Sequence, residues 1–115
     1  MKEIKNARIN DTSLEFVGIM TAWIHLDYGG SGQGFGGYGL DSYDEIKKER
    51  VAHKACGFFI MRVLETVDAE KWEDLPGKYV RVEKDWGKVY RIGNILEDKW
   101  FNPEAEFKEI IGAKS

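Results

Sequence analysis

The residue types able to do chemistry are few in this chain, and their spacing limits what each can do. His25 and His53 are the only histidines and Cys56 the only cysteine. A zinc site needs three or four ligands. His53 and Cys56 stand one helical turn apart but lack companions, so a helix histidine and a core thiol are the expectation. HExxH, G-x-S-x-G and CxxC do not occur, and no carboxylates form a recognisable acid–base pair. The expectation is therefore a protein with no metal, no cofactor and no catalytic residue. Arg81 and Arg91, with Trp86 between them and Asn94 beyond, offer binding chemistry instead. A guanidinium meets phosphate through two parallel hydrogen bonds, and an indole stacks on a base. A solvated sheet face laced with cross-strand ion pairs accounts for the arginines equally well.

Tyr28 to Gly39 holds seven of the 13 glycines. It is not a Walker A loop, because no Lys-Ser or Lys-Thr follows its last glycine. Gly32-Gln33-Gly34-Phe35-Gly36-Gly37 has a superficial likeness to the dinucleotide fingerprint, but no helix follows promptly and the βαβ frame is missing. Gly30, Gly32, Gly34 and Gly36 recur with period two. In an extended chain they leave one face bare, with Ser31, Gln33 and Phe35 on the other. A bare strip admits a base, a ribose-phosphate or another subunit's backbone. Tyr28 and Tyr38 flank it as stacking surfaces, and Gln33 suits a purine edge. A flexible or bulged hairpin, or packing at a subunit contact, also explains the glycines.

The elements that must hold these residues follow from periodicity. Glu3 to Asn10 alternates and reads as a strand, ended by turn chemistry at Asp11-Thr12-Ser13. Ile19 to Tyr28 is the clearest strand. Met20, Ala22, Ile24 and Leu26 face the core; Thr21, Trp23, His25 and Asp27 form an aromatic-polar face. Ser42 to Arg50 reads as a loop leading into the main helix, Val51 to Val67. Its centre, Phe58 to Met61, is apolar all round and suits burial on more than one side. Asp68 to Gly77 reads as a turn with a short helical piece. Lys78 to Glu83 and Lys88 to Leu96 read as a hairpin with Asp85-Trp86-Gly87 at its tip. Asn102-Pro103 opens a short C-terminal helix, Glu104 to Ile111, with Phe107, Ile110 and Ile111 as its apolar side. The fold class is α+β: an antiparallel sheet of about five strands, one main helix and a short C-terminal helix, in a single domain over 1–115.

The chain has 115 residues, 43% hydrophobic and 32% charged, which argues against disorder. Its formal charge of −3 gives no basic field for a nucleic-acid polymer. A small anionic ligand can still be met locally. The longest apolar run is too short to cross a bilayer, and Met1 to Lys5 is not followed by a secretory apolar stretch. One cysteine excludes an internal disulfide and suits a reducing compartment.

Gly18-Ile19-Met20-Thr21, Asp27 to Asp41, Trp72-Glu73-Asp74-Leu75, Gly77-Lys78-Tyr79-Val80-Arg81-Val82, Arg91-Ile92-Gly93-Asn94 and Trp100-Phe101 together resemble small proteins encoded by phages and prophages. In patches covering most of the chain, the resemblance is to the first described Thoeris anti-defence family. It implies a sponge in the cytoplasm of an infected bacterium that captures glycocyclic ADP-ribose, and cyclic oligonucleotides at a second site, without hydrolysis. It also implies a homo-oligomer, dimer or hexamer, with ligand contacts from aromatic, asparagine and arginine side chains between subunits. Trp86, Arg91 and Asn94 are their counterparts here. The candidate binding set is then His25, Tyr28, Gln33, Gly34, Phe35, Gly36, Tyr38, Arg81, Trp86, Arg91 and Asn94. An inhibitor that grips a host defence protein is the competing expectation; a nucleotide-modifying enzyme is the weakest, for want of an oriented general base.

Overall fold

In a computed structural model, residues 1–110 are described in full and Ile111 by its backbone alone. The expected apolar contribution of the Ile111 side chain lies outside the described residues. The fold is α+β. Six antiparallel strands form one sheet in the order β3-β2-β1-β6-β7-β8, and β4 and β5 form a separate ribbon. The strands are β1 (Glu3–Val17), β2 (Ile19–Asp27), β3 (Gly32–Gly36), β4 (Asp41–Asp44), β5 (Glu49–Ala52), β6 (Tyr79–Lys84), β7 (Val89–Asn94) and β8 (Trp100–Phe101). The helices are α1 (Lys54–Val67) and α2 (Pro103–Ile111).

β1 does not end at Asn10. Asp11-Thr12-Ser13 continues the strand opposite His25, Ile24 and Trp23, and a register shift between Ile9 and Asp11 takes up one extra residue. Turn propensity gives way to a ladder of backbone hydrogen bonds, and the bulge marks the conflict. Because β1 pairs with β6 through Glu3 to Arg8 and with β2 from Arg8 onward, this one strand carries the sheet around. The far edge, β3, comes to lie beside β7.

The expected loop at 42–50 is instead a hairpin, β4 and β5 joined by a turn at 45–48. Asp41↔Ala52 to Asp44↔Glu49 pair, and the Arg50 guanidinium grips the Asp41 carboxylate with bonds of 2.6 and 3.0 Å. α1 consequently starts at Lys54, three residues later than its apolar pattern suggests. His53 caps it, its Nδ1 accepting from the Ala55 amide at 3.0 Å. Asp68 ends it in the left-handed conformation.

Ala55, Phe59 and Val63 bury one face of α1 against the sheet. Phe58 turns to Phe101 and Phe107, while Met61 is exposed. The centre of the core is a cluster of Phe35, Phe59 and Phe101, with ring centroids 5.4–6.2 Å apart. Such ring pairs contribute about 0.5–1.5 kcal/mol each beyond burial. Arg62 ties the helices and β8 together, bonding both Glu106 oxygens and the Trp100 carbonyl. Among the described residues no helix is long and apolar enough to cross a membrane.

Candidate functional site

The glycine segment is extended, but its bare face is not open. Trp23, on the adjacent strand, lays its indole across β3. A methyl group added at Gly34 would stand 2.9 Å from the Trp23 ring, and one at Gly37 closer still. A Cβ at Gly32 or Gly36 would strike the β2 backbone, and Gly36 and Gly37 both have positive φ. The strip expected to admit a ligand or a subunit is therefore closed at Gly32 and Gly36 by the β2 backbone and at Gly34 by the chain's own tryptophan, while Gly30 stands in open space. Phe35, expected at the site, lies wholly in the core and presents no surface. It sits opposite Ile24, whose inward face it shares.

Gln33 has a different role from a purine reader. The Tyr28 hydroxyl donates to its Oε1 at 2.6 Å. Its Nε2 then donates to the carbonyls of Asp85 and Trp86, at 3.1 and 3.3 Å. The glycine strand thus holds the tip of the β6–β7 hairpin. Asp85 completes the tip. Its Oδ1 accepts from the amides of Gly87 and Lys88, and its Oδ2 accepts from the Tyr90 hydroxyl at 2.6 Å. With the turn closed in this way, Trp86 projects outward, 97% exposed.

Two clefts meet at this tip. One, of about 750 Å³, is lined by Met1, Glu3, Ser31, Lys84, Trp86 and Tyr90 among others. The other, of about 410 Å³, runs between β3 and β7 past Trp23, Gly34, Gly36, Gly37 and Tyr38. Gly87 and Lys88 belong to both. Lysines and tyrosines interleave here. The Lys88 ammonium lies 5.9 Å from the Tyr38 ring centre and 5.2 Å from that of Tyr90; Lys2 approaches Tyr90 to 4.2 Å and Lys84 approaches Tyr28 to 5.1 Å. Lys84 also reaches Glu3 at 3.4 Å, and Lys88 reaches Glu104 of α2 at 2.6 Å. That bond raises the Lys88 pKa and lowers that of Glu104. Burial, helped by Glu3, pushes the Tyr28 phenol up to about 12. The site offers cations and aromatic faces, which suit an anion carrying a flat ring.

The eleven expected residues divide by place. Gln33, Gly34, Gly36, Tyr38 and Trp86 line one or other of the two clefts, whereas Tyr28 lines neither and is joined to them through its bond to Gln33. His25 is exposed on the outer face beside Trp23, with ring centroids 6.4 Å apart. Arg81 and Arg91 stand over Trp100, 4.8 and 4.1 Å from its ring centre. Arg81 donates to the carbonyls of Asn94 and Glu97, and Arg91 bonds Glu83 at 2.8 Å. Arg91 is thus engaged in a cross-strand ion pair, as that alternative had it, whereas Arg81 is held by backbone carbonyls instead of a carboxylate. Asn94 is only 5% exposed. It donates to the Thr66 carbonyl and the Asp68 carboxylate and accepts from the amides of Leu96 and Glu97. All its capacity is spent on the fold, so a ligand contact there is removed.

Sequence reasoning missed Lys84, Lys88 and Tyr90. The signal was present as two lysines bracketing an exposed hairpin tryptophan, Lys84-x-Trp86-x-Lys88. Among the described residues no cluster of His, Cys, Asp and Glu could hold a metal ion. No family model, curated protein or solved structure matches the chain.

Proposed function

We propose that this protein binds an immune signalling nucleotide, glycocyclic ADP-ribose or a cyclic oligonucleotide, and holds it without hydrolysis in the clefts beside the β6–β7 tip. The observation that carries the reading is Trp86. An indole wholly in water gains nothing for the fold, yet four hydrogen bonds from Gln33 and to Asp85 hold the backbone that presents it. Beneath it lie Lys84 and Lys88 for phosphate and Tyr90 for further stacking. The choice of signal rests on the sequence resemblance. Melting curves with cyclic ADP-ribose isomers and cyclic dinucleotides test the reading. A ligand at 100 times its Kd should add about 2.7 kcal/mol of stability. Heat release should return the compound unchanged, whereas a hydrolysed product would refute sequestration.

A second reading, direct inhibition of a host defence protein, draws on the other end of the molecule. The β1–β2 hairpin leaves Leu14, Phe16, Val17 and Ile19 exposed, Phe16 by 65%. Exposed apolar side chains gathered in this way mark protein contacts. Under this reading, Phe16→Glu abolishes capture of a host partner and leaves nucleotide affinity unchanged.

A further inference from the structure

Lys88 is the cation shared by both clefts, and it is already occupied. Glu104, in the first turn of α2, meets its ammonium at 2.6 Å, and among the described residues it is the only carboxylate that does so. Both side chains remain about half exposed, 40% and 56%, so an incoming anion can reach the pair. The position of Glu104 is favoured twice, by Lys88 and by its place in the first turn of α2, where a negative charge suits the helix dipole.

Resting on the nucleotide reading, we propose that Glu104 is a built-in competitor for the ligand's phosphate, setting the affinity of the cleft by engaging Lys88. A phosphate drawn to Lys88 must displace the Glu104 carboxylate or sit beside its negative charge. A neutral ring stacked on Trp86 meets no such opposition. Glu104 therefore acts on the charged part of the ligand alone, and acts through Lys88.

The experiment titrates the full chain with AMP and with adenosine at low salt. Glu104→Gln should bind AMP about two- to fivefold more tightly, the scale of one exposed ion pair, with adenosine affinity unchanged. In a Lys88→Met background the same substitution should bring no gain. Glu45→Gln, which removes an equal charge from the exposed β4–β5 turn, should leave AMP affinity where it was. Thermal melts confirm that each variant is folded. Unchanged or weaker AMP binding by Glu104→Gln, or an equal gain for adenosine, overturns the inference and leaves the nucleotide reading standing. If the wild-type chain binds neither compound nor any cyclic nucleotide, both fall together.

Discussion

The Tyr28 hydroxyl donates a 2.6 Å hydrogen bond to Oε1 of Gln33, in agreement with the amide orientation that two acceptor-only carbonyls impose on its nitrogen. Gln33 offers that nitrogen to the β6–β7 tip, where the two carbonyls receive it. Replacing that nitrogen with oxygen should be costly. Gln33→Glu should destabilise the chain by about 1–3 kcal/mol, because two carbonyls lose a donor and gain a facing carboxylate. Urea denaturation measures it, and an unchanged midpoint would refute the latch.

Trp86 should matter for binding and not for folding. Trp86→Ala should leave stability within about 0.5 kcal/mol of the wild type, since the side chain is almost fully exposed. Nucleotide affinity should fall by about 1–3 kcal/mol, the worth of one stacked base. Calorimetric titration beside a thermal melt separates the two effects.

Asn94 should show the reverse. Asn94→Ala strips donors from Thr66 and Asp68 and an acceptor from two amides in a buried position. A loss of about 2–4 kcal/mol is expected. Affinity per folded molecule should be unchanged, as titration at a temperature where the variant is fully folded will report.

The glycines should not be equivalent. Gly37→Ala places a methyl group against Trp23 in a backbone of positive φ and should cost about 1–3 kcal/mol. Gly30→Ala, with open space around it and no positive φ, should be neutral within about 0.5 kcal/mol. Equal losses at both positions would refute the packing account of the segment.

Alkaline pH should loosen the Tyr28–Gln33 contact. The folded-state pKa of Tyr28, about 12, lies above the ordinary value near 10, so the native state binds more protons between these limits. Its contribution to stability is complete below pH 10 and is lost as pH rises towards 12. Stability measured by urea denaturation across that window should decline, and Tyr28→Phe should flatten the decline. Tyr38, raised chiefly by burial, and Tyr90, raised chiefly by its bond to Asp85, add slopes of the same sign.

By itself the sequence determined the inward face of β2, the end of α1 at Val67, the hairpin tip at Asp85 to Gly87 and the capped start of α2. These depend on period and local capping, which neighbouring residues carry among themselves. Phe35 shows where this ends: its alternation with glycine placed it correctly opposite the bare face, but whether that opposite face was core or surface depended on β2. Only the tertiary structure decided that Asp11 to Ser13 pairs instead of turning, that 41–52 forms a ribbon, and that Trp23 covers Gly34 and Gly37. It alone brought Gln33 to the Asp85 carbonyl, 52 positions away, and set Lys88 between Tyr38 and Tyr90. Register and sheet curvature arise from hydrogen bonds between distant segments, and spacing along the chain does not encode which edge will close on which.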